Sequence, residues 1–211
     1  MIKVALADDH VFIREGLKRI LKPELDIDVI AEAENSANVL EMVRNFKFDI
    51  LVLDISLPGK SGIELIKDIL QIKPGLKIII LSVHPESLYG LRALKAGASG
   101  YITKETSADE LIKAIRKIVS GRRYISESLA EHIAENLDSN SEEPLHKKLT
   151  NREYQVFIEL ATGKHLKEIA ENLCISISTV NTYRQRILEK MNMKSNYELT
   201  HFALKEKLIE M

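Results

Sequence analysis

A single cysteine, Cys174, in a chain of 211 residues excludes an internal disulfide and any CxxC metal or redox pair, which fits a reducing compartment. No apolar run approaches the length needed to cross a bilayer, and the apolar start of MIKVALADDH is too short for a signal peptide before it meets two acids. The chain therefore reads as cytoplasmic, with no membrane contact. Its six histidines, at 10, 84, 132, 146, 165 and 201, show no metal-ligand spacing; His10 reads as structural or solvated. No GxSxG nucleophile turn is present, and no repeat recurs at solenoid periods. The GKS at Gly59 to Ser61 is not a phosphate loop, because Asp54 stands where such a loop needs its first glycine and would repel nucleotide phosphates.

Net charge is also nearly absent, at −1, but it is unevenly spread. Residues 1–125 carry 19 Lys+Arg against 17 Asp+Glu, residues 126–145 carry 0 against 6, and residues 146–211 carry 11 against 8. A mildly basic tail behind an acidic stretch permits nucleic-acid binding without requiring it. With 45% hydrophobic residues, the chain can bury ordinary cores in one or two domains.

Apolar runs at residues 2–7, 27–33, 50–53, 77–82 and 98–103 read as five strands. Between and after them lie helical patterns at 11–22, 36–46 capped by Ser36, 62–72 capped by Ser61, 85–96 closed by Gly97, and a fifth capped by Ser107. Alternation of this kind implies a doubly wound five-stranded parallel sheet with helices on both faces, over residues 1–122. Residues 123–146 read as a linker holding an amphipathic helix, with Leu129, Ile133 and Leu137 at helical spacing, before the structure-breaking DSNSEEP. Residues 147–211 read as a small all-α domain. Thr150 and Glu153 form a capping box, and the helices at 166–173 and from Ser176 to about Met191 make a helix-turn-helix candidate.

The stretch FDILVLDISLPGKSG, residues 48–62, holds the central element. Its unbroken apolar run suits a strand buried on both faces, and Asp54 ends it where ligands gather in open α/β sheets. The same topology brings Asp8, Asp9, Ser82 and Lys104 to that edge. Converging carboxylates need a cation, and oxygen ligands suit a hard one such as Mg²⁺. Cation, ammonium and hydroxyl around one carboxylate are what a phosphoryl group requires when it lands there, which makes Asp54 a candidate nucleophile.

Taken together, Asp8-Asp9, Asp54 in DISLPGKSG, Ser82 and Gly100-Tyr101-Ile102-Thr103-Lys104 resemble the receiver domain of two-component response regulators. The resemblance implies that Asp54 takes a phosphoryl group from a sensor histidine kinase. It also implies that Asp8, Asp9, Asp54 and the backbone carbonyl of Ser56 hold Mg²⁺, that Lys104 assists, and that Ser82 and Tyr101 form a switch in which the aromatic ring turns inward. Ser61 and Glu105 depart from commoner family residues; Ser61 can still cap its helix.

On a helical wheel, Val180, Ile187, Leu188 and Met191 face a core, while Asn181, Thr182 and Gln185 form the outward face that reaches base edges. Arg184 packs its stem with the guanidinium directed to a phosphate, Arg186 flanks the groove, and Thr179 and Lys190 complete the DNA-facing set. LTNRE, LKEIAENLCIS and STVNTYRQRILEKM resemble the LuxR-type helix-turn-helix, and with the receiver they resemble the NarL/FixJ class over nearly the whole chain. Asn181 and Tyr183 replace that family's commoner Lys and His. The expectation is a phosphorylation-dependent transcriptional regulator, a homodimer on two-fold-related double-stranded DNA, and no enzyme beyond its own phosphorylation and dephosphorylation. Two alternatives stand beside it: a regulator whose receiver only dimerises or senses a ligand, and a small α/β phosphatase or flavin protein, the Asp8-Asp9 pair arguing against flavin because it would repel an FMN phosphate.

Overall fold

The computed structural model describes residues 1–138 and 144–209, so residues 139–143 of the expected DSNSEEP linker lie outside the described residues. The chain divides into two compact units, residues 1–136 and 137–211.

In the first unit, strands β1 (Ile2–Ala7), β2 (Ile27–Ala33), β3 (Ile50–Asp54), β4 (Lys77–Ser82) and β5 (Gly100–Thr103) form one parallel sheet in the order β2-β1-β3-β4-β5. All five residues of β3 are buried, as an apolar run at the centre of a two-sided sheet requires. Five helices connect and cover the strands: α1 (Val11–Leu21), α2 (Ser36–Asn45), α3 (Gly62–Ile72), α4 (Glu86–Ala96) and α5 (Ala108–Val119). The helix α5 shows why: Leu111, Ile112, Ile115 and Ile118 recur at helical spacing and bury against Val4, Leu6, Val52 and Ile79 of the sheet.

Two local expectations are corrected. The strand β5 begins at Gly100 rather than Ala98, because Gly97 adopts a left-handed φ of 114° and the Ala98 N–H closes α4 on the Ala93 carbonyl. The cap of α2 is Asn35, whose side chain accepts from the Asn38 N–H, and not Ser36. The Ser36 hydroxyl instead accepts from the Lys60 N–H at 3.1 Å, and its own N–H donates to the Pro58 carbonyl, bracing the loop after β3.

The helix α6 (Glu127–Asp138), read from sequence as part of a linker, packs its first turn on α4. Leu129 is buried, and a Cβ on Gly90 would stand 2.6 Å from its Cδ1. The Ser126 hydroxyl bonds Glu86 at the start of α4. The first unit thus extends past residue 122.

The second unit holds a short 3-10 turn at Leu145–Lys148, then α7 (Asn151–Ala161), α8 (Leu166–Asn172), α9 (Ile177–Lys190) and α10 (Asn196–Lys205). Thr150 and Glu153 make both halves of the capping box. Tyr154, Phe157, Val180, Ile187, Met191, Leu199 and Ala203 form its buried interior.

Candidate functional site

Parallel strands put their carboxyl ends at one edge, and there the first unit gathers its acids. Asp8 follows β1, Asp54 ends β3, Ser82 ends β4 and Lys104 follows β5. The side chains of Asp8 and Asp54 are each 3% exposed, and that of Lys104 only 11%. The Lys104 ammonium lies 2.6 Å from Asp8 Oδ2 and 3.1 Å from Asp54 Oδ2, and its backbone N–H donates to the Ser82 carbonyl at 2.7 Å. Lysine and loop are therefore fixed together.

Burial pushes the Asp54 carboxyl above its ordinary range; Lys104 beside it opposes that shift and Asp8 adds to it. Burial acts to lower the Lys104 ammonium, but Asp54 and Asp8 outweigh it and raise the lysine above its usual value. One lysine does not neutralise this pocket. Asp9 Oδ1 is also buried and accepts no hydrogen bond. Asp8, Asp9, His10 and Asp54 each offer one ligand atom within 4.8 Å of the others, a donor set that fits a divalent cation. Ser56 lies half-buried two residues beyond β3.

Tyr101 is wholly buried, with its hydroxyl donating to the His84 carbonyl at 2.9 Å, so the ring is already inward. Burial raises its phenol above the usual range. The Ser82 hydroxyl accepts from the His84 N–H at 3.1 Å. Residue His84 is thus held on both sides, two residues before α4 begins.

Nothing local in the sequence marks how closely Gly62 approaches this site. Its N–H donates to the Ile55 carbonyl at 2.8 Å, and a Cβ there would meet the Asp54 carbonyl oxygen at 2.3 Å. The helix α3, capped by Ser61, starts directly beneath the acid.

In the second unit, α8, the turn Leu173–Ser176 and α9 form the helix-turn-helix, with Cys174 at φ 51°. Asn181, Thr182, Gln185 and Arg186 are exposed, while Val180 and Ile187 are buried. Thr182 Oγ1 donates to the Ser178 carbonyl, and Thr179 is bound into the Ser176 cap. Two residues of the expected DNA-facing set have partners within the chain. Arg184 Nε donates to Asn196 Oδ1 at 2.7 Å, which ties α9 to α10 and fixes where the guanidinium stands. The Lys190 ammonium lies 2.6 Å from buried Glu153 Oε2, an ion pair made with the lysine side chain 38% exposed. Burial acts to raise the Glu153 carboxyl, but Lys190 and Thr150 hold it below its usual range. Arg152, 5% exposed, was unmarked in sequence; its Nη2 donates to the Leu173 carbonyl at 2.6 Å and clamps α7 to the turn.

Among the described residues no helix is long and apolar enough to cross a membrane. The family described as response regulator receiver domain matches residues 4–116, and bacterial regulatory proteins of the luxR family match residues 147–203. Response regulator GacA of Pseudomonas aeruginosa is 33% identical over 211 residues, spanning 100% of this chain and 99% of its own. Response regulator UvrY of Escherichia coli K12 is 35% identical over 209 residues, spanning 99% and 96%. The structure of RcsB from Salmonella enterica serovar Typhimurium, bound to promoter rprA in the presence of phosphomimetic BeF3-, aligns with a TM-score of 0.65 at 26% identity, covering 96% of this chain and 98% of that one. With a receiver sheet, a helix-turn-helix and full-length relatives in agreement, the chain belongs to the response regulators of the NarL/FixJ class.

Proposed function

We propose that Asp54 is the phosphoacceptor of this regulator. The observation that carries the reading is a desolvated carboxylate at the sheet's carboxyl edge with an ammonium 3.1 Å away and two further acids beside it. A carboxylate oxygen of Asp54 attacks the phosphorus of a kinase phosphohistidine, the P–N bond breaks, and the electron pair leaves on the imidazole nitrogen. Asp8, Asp9, Asp54 and the Ser56 carbonyl would hold Mg²⁺, which offsets the charge of the transferred group when bound. Lys104 does the same from the other side, already in position. The Ser82 hydroxyl accepts from the His84 N–H and hydrogen-bonds the Tyr101 phenol, and it would turn its hydrogen to a phosphoryl oxygen.

Since Tyr101 is inward from the start, phosphorylation fixes the turn around His84 rather than pulling the ring in. The signal then passes to α4, on which Leu129 and Ser126 rest. At the output end, Asn181, Thr182 and Gln185 face base edges and Arg186 a phosphate, with two copies on a two-fold-related site.

Wild-type protein treated with Mg²⁺ and acetyl phosphate or phosphoramidate is expected to gain the mass of one phosphoryl group, and Asp54→Asn to gain none. Equal labelling of the variant would overturn the assignment. For the output, Gln185→Ala should relax base preference, whereas Arg186→Ala should weaken binding to all sequences and reduce the salt slope by about 1. Site-specific mobility shifts unchanged in both variants would refute the assigned face.

A further inference from the structure

The turn that carries the two acids after β1 is tied to β2 twice. The Asp8 N–H donates to the Ala33 carbonyl at 3.1 Å, which continues the ladder one residue past the end of β1. The Asp8 carbonyl accepts from Arg14 Nη1 at 2.6 Å. Arg14 lies in the first turns of α1, and its Nε donates to Glu32 Oε2 at 3.1 Å on the same strand β2. Its side chain is only 12% exposed, so the planar guanidinium braces two fixed partners rather than sampling solvent. Lys18 holds the other oxygen of Glu32 at 2.7 Å, so both oxygens of that carboxylate are engaged from α1. The Asp8 carbonyl belongs to the planar peptide that joins Asp8 to Asp9. Its direction therefore sets where the Asp9 side chain leaves the backbone. Released, that peptide could rotate and would carry the Asp9 carboxylate away from Asp8 and Asp54. The His10 N–H, donating to Asp8 Oδ1 at 2.8 Å, orients the Asp8 carboxylate; Arg14 orients the carbonyl.

We infer that Arg14 is a positioning residue for the acidic pocket: it holds the Asp8–Asp9 peptide so that both carboxylates face one cation, and Glu32 holds Arg14. The inference rests on the cation-site reading of that pocket. Groups that orient metal ligands without touching the metal raise affinity by removing the cost of gathering the ligands. Charge and geometry pull in opposite directions here. A guanidinium near the site repels a cation, so its loss would tighten binding by Coulomb's law alone, whereas loss of the brace weakens it. The sign of the change tells the two apart.

Full-length variants are titrated with Mg²⁺ alone, followed by amide NMR shifts, and then labelled with acetyl phosphate. Arg14→Ala and Arg14→Lys are each expected to weaken Mg²⁺ binding about tenfold. The lysine variant keeps the charge but not the two-armed reach, so a loss shared by both belongs to geometry. Labelling at saturating Mg²⁺ should stay within about threefold of wild type, because the cation, once bound, gathers the acids itself. Glu32→Ala, which leaves Arg14 in place, should cost about threefold in Mg²⁺ affinity and nothing further beside Arg14→Ala; it also carries the test if loss of Arg14 unfolds the first unit. Arg116→Ala, which breaks an ion cluster with Glu24 and Asp26 ahead of β2, should leave Mg²⁺ affinity unchanged whatever it does to stability. Wild-type affinity in the folded Arg14 and Glu32 variants, or tighter binding in them, overturns the positioning role. Wild type that binds Mg²⁺ no better than Asp9→Asn overturns the cation-site reading itself, which separates the two.

Discussion

Gly62→Ala is expected to destabilise the first unit by about 3 kcal/mol and to abolish phosphoryl labelling of the folded fraction. The added Cβ would stand 2.3 Å from the Asp54 carbonyl oxygen and 2.9 Å from Ile55 Cα, and both neighbours are backbone in the most buried strand end. Neither can swing aside like the end of a side chain. Relief requires α3 to withdraw, breaking the Gly62 N–H to Ile55 carbonyl bond and shifting Asp54 and the Ser56 carbonyl together. Gly16→Ala supplies the control, because no atom lies within 4 Å of its added Cβ in the middle of α1. There the same substitution removes only glycine's conformational freedom and should stabilise by about 0.5–1 kcal/mol. Urea denaturation of both variants gives the comparison; shifts of the same sign and size would refute the close-approach explanation.

That contrast also shows which features sequence carries. The strand ends at Asp8, Asp54 and Ser82 were legible because each closes an apolar run, and the alternation of strands and helices sends all such ends to one edge. The core face of α9 was legible because Val180 and Ile187 repeat at helical spacing. Contacts between distant segments leave no such local pattern. Ser36 reads as a helix cap by its position, but it reaches 24 residues on to Lys60; Arg152 reaches 21 residues to Leu173, and Lys190 is 37 residues from Glu153. An exposed-looking lysine on a recognition helix and a lysine that secures a buried acid have the same sequence. Tyr101 presents a related limit: its strand position was legible, but whether the ring points in depends on the His84 carbonyl in another loop.

Lys104→Met should produce effects of opposite sign on metal-free stability and on cation affinity. The ammonium lies against two carboxylates that are each 3% exposed, so its removal leaves like charges in a desolvated pocket, a loss of about 3–5 kcal/mol while both remain ionised. Protonation relieves part of that cost, and the Asp54 carboxyl, already raised by burial and by Asp8, should rise further once Lys104 no longer opposes them. A carboxyl raised in the folded state binds more protons folded than unfolded, so stability is present at acid pH and is lost as pH climbs above the unfolded value of about 3.9. The variant should accordingly match wild type near pH 4 and fall progressively below it toward neutrality. A divalent cation replaces the missing charge: saturating Mg²⁺ should restore most of the loss, and its affinity should rise about tenfold because no ammonium competes for the same oxygens. Phosphoryl labelling should nonetheless slow by about tenfold or more, since the lysine also stabilises charge on the transferred group. Urea melts across pH with and without Mg²⁺, alongside cation titration and labelling rates, measure all of these. Equal metal-free stability at every pH, or weaker Mg²⁺ binding in the variant, would mean that Lys104 is not the counter-ion on which these buried acids depend.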